Sequence, residues 1–228
     1  MRKHWYLAIF VAIGISAAWA ADRHVKDGVF YSDANPVLTL RVDPALDYVG
    51  LLRFPLMETS NVERHVWVAA EDSQVTTLLI FQFETIMTGV DGTYRFNIPG
   101  GARQAGSNFR YTPERIELGD HAYVHNTWAF DLGETARLNP RAESAHTTRM
   151  LAENGYELPN EFIMSRFVTE VGEDSRSEFI IYYMESLRAH GKSLEDFPDG
   201  GPPIEAYDTL SQSVKQRSLE AIGWSLDN

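Results

Sequence analysis

The 228-residue chain sets 32 acidic against 20 basic residues, a formal charge of −12, with 44% hydrophobic residues and no cysteine. This composition is globular and excludes collagen-like or low-complexity chains, a polytopic membrane protein, disulfide frameworks, iron–sulfur clusters and cysteine-ligated zinc. The acidic balance also argues against duplex nucleic acid and anionic lipid surfaces, whose attraction comes from Lys and Arg, and no basic run follows residue 3.

The chain opens Met-Arg-Lys-His and continues without a charge until Ala17-Ala18-Trp19-Ala20-Ala21. A basic start, an apolar middle and small residues at an A-x-A site are the pattern of a secretory signal peptide. Ala18 and Ala20 place cleavage after Ala20. The apolar run is interrupted by Gly14 and Ser16 and falls short of the ~20 residues a spanning helix needs. The expectation is therefore removal of residues 1–20 on export, followed by a single domain over residues 21–228. That product would be soluble and not inserted in the membrane, with the bacterial periplasm favoured over full secretion.

Residues 21–36 read as a polar lead-in, and residues 37–42 alternate as a strand. A second apolar run, residues 48–54, ends at Pro55, and residues 57–61 connect it to the clearest pattern in the chain. Residues 62–69 and 75–87 are β-branched and aromatic runs joined by a short polar turn, which reads as a hairpin. In the second run, period-2 geometry puts Leu79, Phe81 and Phe83 on one side. Leu78, Ile80, Gln82, Glu84 and Ile86 fall on the other. A strand apolar on both faces belongs in the interior of its sheet.

Asp91-Gly92 marks a turn before a strand expected over residues 94–98. Residues 100–108 read as a loop. Residues 109–111 and 116–118, separated by Pro113, read as one broken edge strand. Residues 121–131 alternate, with Ala122, Val124, Trp128 and Phe130 opposite His121, Tyr123, His125 and Thr127. Asn139-Pro140 then caps a helix that stops at Gly155. Residues 162–171 and 178–187 read as two more strands, the second preferred over helix for its Phe-Ile-Ile-Tyr-Tyr run. A loop over residues 191–203 precedes an amphipathic helix over residues 204–222, with Tyr207, Leu210, Val214 and Ala221 in its stripe. The class is α+β: a mainly antiparallel curved sheet of about six to eight strands, a mid-chain helix and a C-terminal helix packed on it.

No motif names a chemistry. His121 and His125 could share a metal on a helix, but on a strand they lie about 13 Å apart. No metal or cofactor is therefore expected. Gly100-Gly101 and Gly106 lack the Lys-Ser or Lys-Thr of a phosphate loop, and no Gly-x-Ser-x-Gly elbow occurs. Glu84 stands out as a carboxylate in the most apolar strand, with Arg95 as its expected counter-ion. Arg166 and Glu170 read as a cross-strand charge pair.

The functional expectation is a non-enzymatic binding protein for an apolar or amphipathic small molecule or a partner segment. Trp67, Phe81, Tyr94, Tyr123 and Trp128 would line its pocket, and Glu84, Arg95 and His125 would orient the ligand. One alternative is a hydrolase with Glu84 or His125 as general base. Another is a cell-envelope assembly factor working through an edge strand.

Overall fold

A computed structural model describes residues 23–96, 114–197 and 205–223. Among them β1 (Arg23–Lys26), β2 (Val29–Ser32) and β3 (Leu38–Arg41) form a small three-stranded meander. The larger sheet contains β4 (Asp47–Leu56), β5 (Ser60–Glu71), β6 (Gln74–Ile86), β7 (Glu114–Leu118), β8 (His121–Asp131), β9 (Glu161–Val171) and β10 (Ser177–Ser186). Its spatial order is β4-β5-β6-β10-β9-β8-β7. Three α-helices, α1 (Leu132–Leu138), α2 (Glu143–Glu153) and α3 (Glu205–Ala221), complete an α+β fold with a curved sheet. No helix among the described residues is long and apolar enough to cross a membrane.

Every ladder of the larger sheet is antiparallel, and consecutive strands pair except where β10 closes on β6, from Ser177↔Thr85 to Glu185↔Thr77. The β5–β6 hairpin turns on Asp72 and Ser73, both at positive φ (50° and 69°), as two-residue hairpin turns require. Interior β6 is paired along both edges, by β5 and β10, and both its faces are packed. Leu79, Phe81 and Phe83 join Phe30, Trp67, Phe167 and Phe179 in the main core. Leu78 and Ile80 join Val66, Val68, Met164 and Met184 on the opposite face. The first face is closed by the meander, through Phe30, and by α3, through Val214 and Leu219. The second is roofed by α1 and α2, through Leu132, Met150 and Leu151.

Where α2 rests on β4 the strand bulges between Tyr48 and Gly50. Gly50 has φ +146°, and a Cβ there would come within 2.9 Å of Met150 Cε. Only glycine satisfies both the backbone angle and the close approach.

Several expectations need correction. The supposed lead-in of residues 21–36 holds the β1–β2 hairpin, whose four-residue strands are too short to show a period. Residues 94–96 are not in a strand; Tyr94 instead leaves the sheet and turns its hydroxyl back toward Ser60 and Glu84. The expected mid-chain helix is α2, which stops before Gly155 as expected, and an unexpected helix, α1, precedes it. Asp131 caps α1 by accepting from the Glu134 N–H at 2.6 Å, Asn139 closes α1, and α2 begins only at Glu143. The strand assignments of residues 162–171 and 178–187 agree with the sequence reading, apart from Leu187, which opens a 3-10 turn. Residues 1–20, 97–98, 100–111 and 198–203, each the subject of an expectation, lie outside the described residues.

Candidate functional site

The helix-covered face of the sheet is built in cross-strand rows. Trp128, Met164, Met184 and Leu78 are successive register partners and make an apolar row. Beside it run Asn126, Arg166, Tyr182 and Ile80. The next rows end in Gln82 opposite Arg64, then in Glu170, Glu178 and Glu84. A small apolar cluster of Val124, Val168 and Ile180 separates the Asn126–Arg166–Tyr182 row from the row of carboxylates.

Between the apolar rows and the helices lies a partly open cavity of about 380 Å³. Trp128, Phe130, Leu78, Met164 and Met184 form its apolar part, and Leu132 and Thr135 of α1 close one side. Arg64, Arg166, Tyr182, Glu143, Ser144 and Thr147 form its polar end. Divided at ~30 Å³ per water-sized group, the space suits on the order of a dozen non-hydrogen atoms.

The polar end is tightly wired on the Arg64 side. Arg64 Nε donates to Gln82 Oε1 at 2.5 Å, one terminal nitrogen donates to Thr147 Oγ1 at 2.6 Å, and the other lies 3.4 Å from the Glu143 carboxylate. Gln82 Nε2 donates onward to Glu84 Oε1 at 2.5 Å and to the Glu143 carboxylate. Tyr94 donates its hydroxyl proton to Glu84 Oε2 at 3.2 Å. A buried amide thus bridges two carboxylates and a guanidinium, leaving none of its polar atoms idle.

Glu84 and Glu178 are direct register partners, so two buried carboxyls face each other on one side of the sheet. Burial raises Glu84 to about 7, helped by the negative charge of Glu143. Burial raises Glu178 to about 8, helped by the charge of Glu84 and opposed by Arg166. The pair holds a shared proton at neutral pH because two adjacent buried anions repel and are poorly solvated.

Among the described residues, three buried polar atoms on this face have no hydrogen-bond partner: Arg166 Nε, Ser144 Oγ and Asn126 Oδ1. Asn126 and Arg166 are direct cross-strand neighbours, and Arg166 and Ser144 both line the cavity.

The sequence-chosen residues do not share one pocket. Glu84 sits at the polar end, behind Gln82, and Trp128 lines the cavity. Trp67, Tyr123 and His125 point to the opposite face, because β5 and β8 place them at the other parity. Trp67 packs among Phe30, Phe81 and Tyr48, and Tyr123 is fully buried in the same core. Phe81 is also core rather than pocket wall. Arg95 is exposed, and Glu84 takes its hydrogen bonds from Gln82 and Tyr94 instead. Glu170 does not pair with Arg166; it accepts from the Phe96 N–H and from Ser175.

His125 belongs to a relay of its own. It bonds Glu114 through Nδ1 at 2.8 Å and Ser165 through Nε2 at 2.8 Å, and Ser165 approaches Ser218 of α3 at 3.1 Å. Burial lowers the His125 pKa, so the ring is neutral, while its hydrogen bond and the Lys215 ammonium hold Glu114 at about 2. The order carboxylate–imidazole–hydroxyl is that of a nucleophilic triad. Here the hydroxyl is 0% exposed beneath α3, so no substrate reaches it. The relay fastens α3 to the sheet.

Sequence reasoning did not single out Arg64, Glu143, Ser144, Thr147, Glu178 and Tyr182, and it misassigned Arg166. The available signal was charge at the core parity: Arg64, Arg166 and Glu178 interrupt otherwise apolar interior strands. Among the described residues no group of three or more His, Asp or Glu side chains could hold a metal ion. Comparison with protein-family models, characterised proteins and solved structures finds no match for this chain.

Proposed function

We propose that the protein binds a small amphipathic molecule in the cavity between the sheet and helices α1 and α2, without chemical conversion. The supporting observation is the cavity itself: about 380 Å³ of space, walled by large apolar side chains and ending in a few convergent polar groups. Ligand sites have this composition, whereas cores fill such space with side chains. The probe 1-octanol, sized to the cavity, tests the reading by calorimetric titration. A single saturable site is expected, lost in Ala142→Phe, whose ring would occupy the cavity at the N-terminus of α2. Absence of saturable binding, or binding untouched by Ala142→Phe, would contradict it.

The Glu84–Glu178 pair favours a second reading, a hydrolase drawing a general base from this pair. Against it, neither carboxyl lines the cavity, and both Glu84 oxygens are occupied by Gln82 and Tyr94. Hydrolysis of an octyl ester, abolished in Glu84→Gln, would decide for the enzyme.

The binding protein is proposed to act outside the cytoplasm, in a bacterial periplasm. Support comes from the basic start, the apolar run and the Ala18-Trp-Ala20 site. N-terminal sequencing of the exported product is expected to begin at Ala21; retention of Met1 would refute export with cleavage.

A further inference from the structure

Resting on that reading of the cavity, we infer that its ligand carries a carboxylate, received by the Arg166 guanidinium and the Ser144 hydroxyl, with its apolar body lying on Trp128, Met164 and Met184. The two guanidiniums at the polar end differ in one respect. Arg64 is spent internally on Gln82, Thr147 and Glu143. Arg166 has a buried Nε with no acceptor, and no carboxylate lies within ion-pair distance of it among the described residues. Ser144, 9% exposed and lining the same cavity, offers a hydroxyl that likewise has no partner among the described residues. Unsatisfied buried donors are costly, and a ligand oxygen bearing charge is the acceptor that relieves a guanidinium best.

The surrounding charges permit an anion. From β5 comes Arg64, from β6 Glu84, from β9 Arg166 with Glu170 further along, from β10 Glu178 and Tyr182, from α2 Glu143 and His146, and from the segment after β6 Tyr94. Glu143 is compensated by Arg64. Glu84 and Glu178 hold a proton between them, so the head of the ligand meets one residual negative charge and the free valence of Arg166. Acidification adds the second proton to the pair and leaves Arg166 as the uncompensated charge. Glu170, engaged by Phe96 and Ser175, lies toward the rim.

Three probes with the same eight-carbon body separate head group from body: octanoate, 1-octanol and octylamine, titrated into the full chain by calorimetry. Octanoate is expected to bind about tenfold more tightly than 1-octanol, the equivalent of one charge-assisted hydrogen bond, and octylamine more weakly than either. Arg166→Gln is expected to erase the tenfold preference, with an unchanged urea denaturation midpoint showing that the variant is folded. Ser144→Ala should narrow the preference a few-fold. Octanoate affinity should also rise from pH 8.5 to pH 6 while that of 1-octanol stays level. Binding of 1-octanol without a preference for octanoate, or a preference that survives Arg166→Gln, overturns the head-group assignment alone. Failure of all three probes overturns the cavity reading and the assignment with it.

Discussion

Glu84 and Glu178 give this protein its sharpest local anomaly, and their titration has a definite sign. Below about pH 4.5 both carboxyls are protonated whether the chain is folded or not. As the pH rises the unfolded chain releases its protons, while the folded chain holds them until about 7 and about 8. Native stability therefore falls across that window, and the penalty is complete above it. Glu178→Gln removes one ionisable group and keeps the shape. It should match the parent near pH 4 and exceed it by on the order of 1–3 kcal/mol at pH 9, by urea denaturation at both pH values. An equal difference at the two pH values would mean that the pair is ionised and solvated. At this scale the sequence was partly legible. Glu84 was identifiable as a charge at a core parity, but its partner Glu178 lies over ninety residues away, and only the pairing of β6 with β10 brings them together.

At the scale of elements, alternation was a dependable guide and capping only a partial one: Gly155 does stop α2, whereas Asn139 does not start it. The two faces of β6 and β8 came directly from period 2, because each side of an interior strand is packed. The same rule, applied across strands, would have separated Glu84 from His125 had the strand order been known. β5 places Arg64 opposite Gln82, so its neighbour His65 faces the other way with Tyr48 and Glu63. The helical segment was misread because Asn139-Pro140 resembles a start signal although Asn139 is in fact the end of α1. That error matters to the site, since α1 supplies Leu132 and Thr135 to the cavity wall and the turn after it presents Ala142. On the opposite face α3 is fixed by polar links as well as by its apolar stripe. Arg217 donates two hydrogen bonds of 2.7 Å to Glu185, which also accepts from Tyr183 and engages His190. Ser218 joins the His125 relay. These links explain why histidine and carboxylate side chains that look catalytic in the sequence are consumed in docking one helix.

For the whole molecule, the two faces of the larger sheet are treated unequally. One is closed by the meander and α3 over a continuous aromatic core. The other is covered by two short helices that leave space above Trp128, Met164 and Met184. The sequence disclosed the class and the interior position of β6, both consequences of local pattern. It did not disclose the cavity, which arises from where α1 and α2 come to rest, a long-range property that no residue spacing encodes. The central claim is that this space is where a ligand sits, and the methionines report on it directly. Met164 and Met184 line the cavity, whereas Met57 is exposed at a hairpin turn. With methyl-labelled methionine, nuclear Overhauser contacts from the chain protons of 1-octanol should reach the Met164 and Met184 methyls and spare Met57. Contacts confined to Met57, or absent from both cavity methyls at saturating probe, would contradict the account.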